Sequence, residues 1–166
     1  MLARVQPPQL LRRVDSVQQI QPTAPDAAPF AAAPASWYHL GTLAQLRRGP
    51  VRCAVPPGQA FVGFLAEGGV PAVISGRCAH MGADLACGTI RGGRLACPLH
   101  GWEYGADGRC AHMPAGEPIP NWARQTSFPM ARLGEHVFFF NRPQARFPLP
   151  DFDGASADGL LAAKPF

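Results

Sequence analysis

The stretch that decides the reading of this chain is Cys78-Ala79-His80-Met81-Gly82-Ala83-Asp84, taken with Cys97-Pro98-Leu99-His100-Gly101-Trp102. Each half carries one cysteine and one histidine, with one residue between them in the first half and two in the second. Sixteen residues separate His80 from Cys97. A short loop that holds Cys and His so close aims both side chains at one centre, and the second loop brings the set to four. Two thiolates and two imidazoles suit either zinc or an iron–sulfur cluster. Structural zinc sites usually draw their pairs as C-x-x-C or H-x₃₋₅-H, a spacing neither half follows.

Outward from these loops the chain is a series of short apolar runs broken by turn residues. Val51–Val55, Ala60–Ala66 and Val70–Ser75 are separated by Pro56-Pro57-Gly58 and Glu67-Gly68-Gly69, which predicts antiparallel strands. Thr89-Ile90 and Arg94-Leu95-Ala96 flank Arg91-Gly92-Gly93, a further hairpin, and Asp107-Gly108 is a strong turn signal after Trp102–Tyr104. Thr42–Leu46 predicts one helical turn, stopped by Arg47-Arg48-Gly49-Pro50. Three prolines make Met113–Pro120 an irregular loop. Thr126–Leu133 and His136–Asn141 are expected as the last two strands, with Val137-Phe138-Phe139-Phe140 in the core and one ring turned outward. The expectation is an all-β domain from about residue 36 to 150.

Composition supports a loop-rich or β-rich protein, with nineteen Pro and eighteen Gly in 166 residues. The formal net charge of +4 comes almost wholly from arginine, because Lys164 is the sole lysine. No Lys/Arg cluster lies on a periodic face, which excludes a nucleic-acid binder. No apolar run approaches the roughly 20 residues needed for a membrane span, and the first thirty residues lack a continuous signal-peptide core. The five cysteines form no framework of paired spacings, so Cys53, Cys87 and Cys110 are expected as free thiols in a reducing compartment, the cytoplasm. Cys87 and Cys110 are expected to pack as small residues rather than to act as ligands. Residues 1–35 are expected to be a disordered Pro/Ala-rich extension, in which Arg4, Arg12 and Arg13 give a faint likeness to a transit peptide, and 151–166 an irregular tail.

The pair Cys78-x-His80 and Cys97-x-x-His100 has the spacing of a Rieske [2Fe–2S] centre, in which His replaces Cys on one of the two irons. Trp37-Tyr38-His39-Leu40, Cys97–Tyr104, Asp107-Gly108-Arg109-Cys110, Met113-Pro114, Val137–Asn141 and Phe147-Pro148-Leu149-Pro150 extend the likeness. Together they resemble the Rieske domain of the Rieske non-haem iron oxygenase α subunit. That resemblance implies three stacked antiparallel sheets with the cluster held at the tip by two loops. It makes Cys78, His80, Cys97 and His100 the cluster ligands, the cysteines on one iron and the histidines facing outward on the other. It implies single-electron relay from a reductase or ferredoxin toward a mononuclear iron oxygenase centre.

Two departures refine this expectation. Respiratory Rieske proteins carry an extra Cys in each loop and a Ser after the second His-Gly, whereas this chain has Ala83, Leu99 and Trp102. No disulfide and no such hydroxyl donor are available, which implies a potential low in the Rieske range of roughly −150 to +300 mV. The oxygenase's facial triad of two His and a carboxylate is absent as a motif. His39, His112 and His136 are read as isolated surface or structural residues, Trp102 as a cluster shield and Trp122 as a cap on the proline loop. The competing functional readings are a pure electron-transfer module, the amino-terminal half of a truncated or split oxygenase, and a structural zinc module. Whether the chain is itself an enzyme, its substrate and its oligomeric state stay open.

Overall fold

The computed structural model describes residues 33–55 and 58–150. The expectations for the amino-terminal extension (apart from 33–35), for Pro56-Pro57 and for the 151–166 tail lie outside those residues. Among the described residues, ten strands form three antiparallel sheets, as expected, joined by one short α-helix and two 3₁₀ turns.

The first sheet orders β1 (Trp37–Thr42), β10 (His136–Phe140) and β9 (Met130–Leu133). The second is the meander β2 (Val51–Val55), β3 (Gln59–Leu65) and β4 (Pro71–Ser75). These two sheets and helix α1 (Leu43–Arg48) enclose a core of Leu40, Leu43, Leu46, Val55, Phe61, Val73, Val137 and Phe139. Phe61 sits at its centre, with ring centroids 4.6 Å from Phe139 and 4.8 Å from Phe128. Along β10, Val137, Phe139 and Phe140 are fully buried and Phe138 is the one half-exposed ring; Phe140 lies on the same strand face as Phe138 but is covered by Trp37 and Phe147. The helix starts where a capping box forms. Thr42 Oγ1 accepts from Gln45 N–H at 3.2 Å, and Gln45 Oε1 accepts from Thr42 N–H at 2.7 Å.

The third sheet orders β5 (Thr89–Arg91), β6 (Arg94–Ala96), β7 (Glu103–Tyr104) and β8 (Cys110–His112). Its core is shared with the outer face of the second sheet: Val62, Phe64, Ile74, Leu85, Leu95, Tyr104 and Met113. At Gly108, where the β7–β8 turn has φ +80°, a side chain would run into the Gln125 backbone. Gly108 and Gln125 exchange a backbone hydrogen bond of 2.7 Å there, tying the turn to the segment after the proline loop.

One strand is shorter than expected. Thr126–Phe128 does not join β9, because Pro129 has no N–H to give a ladder. It runs along the edge of β4 instead, where Ser75 N–H bonds Thr126 O at 2.9 Å and Phe128 N–H bonds Val73 O at 3.0 Å. The chain then crosses at Pro129, whose carbonyl accepts from Phe140, and enters the first sheet. A proline thus marks the change of sheet. Among the described residues, no helix is long and apolar enough to cross a membrane.

Candidate metal centre

Two loops at the end of the third sheet carry the four residues singled out by spacing, and they fold alike. In the first, Cys78 N–H bonds Ala83 O at 2.8 Å and Gly82 N–H bonds Cys78 O at 2.8 Å. In the second, Cys97 N–H bonds Trp102 O at 2.8 Å and Gly101 N–H bonds Cys97 O at 3.0 Å. Both turns close through a glycine at φ +69°, a left-handed conformation open to glycine and costly for other residues. Conformation, more than room for a close approach, is what Gly82 supplies, since nothing lies within 4 Å of where its side chain would be. Gly101 does both, with Pro114 at 3.0 Å.

Each loop is anchored from below. Leu85, fully buried, opens a 3₁₀ turn (Leu85–Cys87) just after the first loop, and its N–H bonds Gly76 O at 2.9 Å. Asp84 caps that turn through Ala86 N–H at 3.0 Å and pairs with Arg52 at 2.9 Å. The second loop simply joins β6 to β7.

The four side chains form two pairs. Cys78 and Cys97 are buried and adjacent: each lies against the other's thiol. His80 and His100 are exposed at the tip, ring centroids 4.8 Å apart. Burial pushes the Cys97 thiol up. Backbone N–H groups of Leu99 and His100 aimed at its sulfur oppose that, and the neighbouring Cys78 reinforces it. Two buried thiolates side by side need positive charge between or beside them, which a metal supplies. Among the described residues, no three His, Cys, Asp or Glu side chains form a group suited to a single ion. A thiol pair inside and an imidazole pair outside fit a centre with two metals, one for each pair.

Two neighbours complete the site. Tyr104, fully buried, places its hydroxyl 3.1 Å from Cys78 Sγ. Either group can donate; against a metal-bound thiolate, which has no proton, the phenol would be the donor. Burial, followed by the adjacent Cys78 thiol, drives the Tyr104 hydroxyl far above its usual range, so it remains protonated. Tyr104 was not singled out by sequence, although its place two residues after Trp102 on the strand leaving the second loop was the available signal. Trp102, expected as a cluster shield, stacks flat on His80, centroids 4.5 Å apart and planes within 7°.

Other expectations need correction. Trp122, expected as a cap on the proline loop, is 59% exposed and packs against Trp102 at 5.6 Å. Cys87 is exposed, with Arg52 Nη2 at 3.4 Å from its sulfur, whereas Cys110 is buried as expected. His39 and His136 are not isolated. The bulge in β1 between His39 and Gly41 brings Nε2 of His39 within 3.2 Å of Nδ1 of His136. None of the five cysteines is in a disulfide.

Three sheets ending in two like-folded Cys/His loops define a small β-protein that binds a redox metal cluster. The chain belongs to the Rieske [2Fe-2S] domain family, which it matches over residues 36–123, and its cofactor is a Rieske-type cluster. It is 33% identical over 112 residues to a probable 3-ketosteroid-9-alpha-monooxygenase oxygenase component of Rhodococcus rhodochrous, covering 68% of this chain and 28% of that protein. It is 32% identical over 127 residues to a cholesterol 7-desaturase of Ciona intestinalis, covering 74% and 27%. Among solved structures it resembles dicamba monooxygenase bound to dicamba, with TM-score 0.65 and 27% identity, covering 71% of this chain and 36% of that one. The sequence is thus the Rieske domain type found in oxygenase systems, and it spans about a third or less of the curated relatives named here.

Proposed function

We propose that this chain relays single electrons for an oxygenase, through a [2Fe–2S] cluster held by Cys78, Cys97, His80 and His100. The observation that carries the reading is the segregation of ligands, with buried thiols adjacent and exposed imidazoles adjacent. The domain so defined runs over residues 36–150. The bound cluster supplies reversible one-electron chemistry at a potential the protein sets. The residues do the rest. Cys78 and Cys97 would hold one iron, and the N–H groups of Leu99 and His100 and the hydroxyl of Tyr104 would offset charge on their sulfurs. His80 and His100, exposed at the tip, would hold the other and would be the ligands nearest a redox partner. Cys53, Cys87 and Cys110, none of them in a disulfide, support a reducing, cytoplasmic setting. The partners are a reductase or ferredoxin as donor and an oxygenase iron as acceptor.

A second reading follows from the relatives being monooxygenase and desaturase components much longer than the matched region. In it, the same domain serves a mononuclear iron carried elsewhere in an oxygenase, in the same protein or in another chain.

The test is metal and sulfide analysis with electron paramagnetic resonance on the purified brown protein. Two irons, two labile sulfides and a rhombic or axial signal on reduction are expected, and Cys78→Ser or Cys97→Ser abolishes all three. A colourless protein with one tightly bound zinc ends the reading.

A further inference from the structure

A relay has to meet two partners, yet the exposed imidazoles offer a single tip. If the acceptor covers His80 and His100, the donor needs a second way in. The structure contains one continuous aromatic contact leading sideways from the tip. His80 is stacked on Trp102 at 4.5 Å and 7°, and Trp102 packs on Trp122 at 5.6 Å and 39°. Trp102 is half-buried against the cluster-side core, whereas Trp122 opens to solvent over more than half its surface. Three rings therefore join a proposed cluster ligand to the surface with no aliphatic gap.

The surface around Trp122 has a definite chemistry. Arg109 and Arg124 face each other across an isolated antiparallel bridge, and both are exposed. They line a cleft of about 280 Å³ together with Ile119, Asn121 and the backbone of Pro120 and Ala123. Arg124 N–H bonds the Trp122 carbonyl at 2.7 Å, which ties the backbone that bears the indole to the wall of the cleft. Asp107 sits 3.6 Å from Arg109 and offsets part of that charge, leaving the patch net positive. Trp122 and Ile119 are both exposed, and exposed apolar side chains beside two arginines suit a protein whose own surface is acidic.

We propose that this face is the donor port: an acidic redox protein docks on Arg109 and Arg124 and delivers its electron through Trp122 and Trp102 to His80. This rests on the electron-relay reading above. One electron leaves the reduced donor and arrives at the oxidised cluster, with no bond made or broken. The two indoles carry no resting charge, since neither is oxidised or reduced at Rieske potentials. They supply orbital contact where solvent or aliphatic side chains would couple poorly. Trp122 is thus a specificity and positioning residue.

The test uses the full chain with its cluster and a reduced plant-type [2Fe–2S] ferredoxin, which is acidic and lies near −400 mV, well below the cluster. Stopped-flow absorbance gives the limiting electron-transfer rate and the half-saturating donor concentration. Trp122→Leu is expected to lower the limiting rate, with Trp122→Phe recovering most of it, while the midpoint potential and resonance signal stay unchanged. The double variant Arg109→Gln/Arg124→Gln is expected to weaken docking about fivefold at low salt, corresponding to roughly 1 kcal/mol for two rim charges, and to flatten the salt dependence. In nuclear magnetic resonance, oxidised ferredoxin is expected to shift the Trp122 indole N–H, a readout that needs no electron transfer. A wild-type limiting rate in Trp122→Leu overturns the path. Unchanged docking in the arginine variant, or shifts confined to the His80/His100 tip, overturns the port. Failure of dithionite to reduce the chain at all would instead overturn the relay reading.

Discussion

Replacing Tyr104 by Phe removes one oxygen from a fully buried position and leaves the ring in place. What is lost is the hydrogen bond at 3.1 Å to Cys78 Sγ. Hydrogen bonds to charged acceptors contribute roughly 1.5–3 kcal/mol, and the bond strengthens when the cluster gains an electron and its sulfurs become more negative. If about 1 kcal/mol of it is the difference between the two redox states, the one-electron scale of 59 mV per tenfold, or 1.4 kcal/mol, gives a fall of roughly 40 mV. The sign is fixed by the physics, because removing a donor destabilises the more negative, reduced state. Burial and the neighbouring thiol keep the phenol protonated, so the shift is the same at neutral and mildly alkaline pH. Spectroelectrochemical titration of wild type and Tyr104→Phe at two pH values reads it directly, with the resonance signal confirming an intact cluster. An unchanged or raised midpoint would refute the assignment of Tyr104 as donor.

Other outcomes concern the scaffold. Gly108→Ala places a methyl against the Gln125 carbonyl at a left-handed φ of +80°, which costs at least about 2 kcal/mol; thermal unfolding should show Tm lowered by roughly 5–10 °C. Burial, then the charge of His136, hold the His39 pKa below 6.5, against a backbone hydrogen bond at Gly41 that raises it. The unfolded chain therefore binds more protons, so stability is complete above pH 6.5 and declines as pH falls toward the depressed value. Denaturant titrations across that window should show the slope, and His39→Gln should reduce it; a slope of opposite sign contradicts the pairing. A midpoint well above zero would count against the low potential implied by Ala83, Leu99 and Trp102.

Local chemistry carried most of the fold into the sequence. Thr42 and Gln45 specified the helix start, glycine pairs specified the hairpins, and the apolar run Val137–Phe140 specified a core strand, although Phe140 turned out buried beneath Trp37 and Phe147 against the alternation. Each of these signals acts over a few residues, where steric and hydrogen-bonding rules are strict. Pro129 was equally local. Its missing N–H was readable, but the edge of β4 that receives Thr126–Phe128 was not.

The ligand candidates were legible for the same reason: Cys78, His80, Cys97 and His100 lie within two short loops, and spacing alone limits where they can point. The pairing of thiol with thiol and imidazole with imidazole required the loops to face each other. So did every contact between residues distant in sequence. Tyr104 reaches Cys78 across 26 positions, His39 meets His136 across 97, and Trp102 bridges His80 to Trp122. Side-chain identity told what these groups are able to do, while sheet stacking determined which of them touch. That division follows from the range of the forces. Backbone sterics and turn chemistry are written residue by residue, whereas contacts between strands depend on the packing of the whole domain.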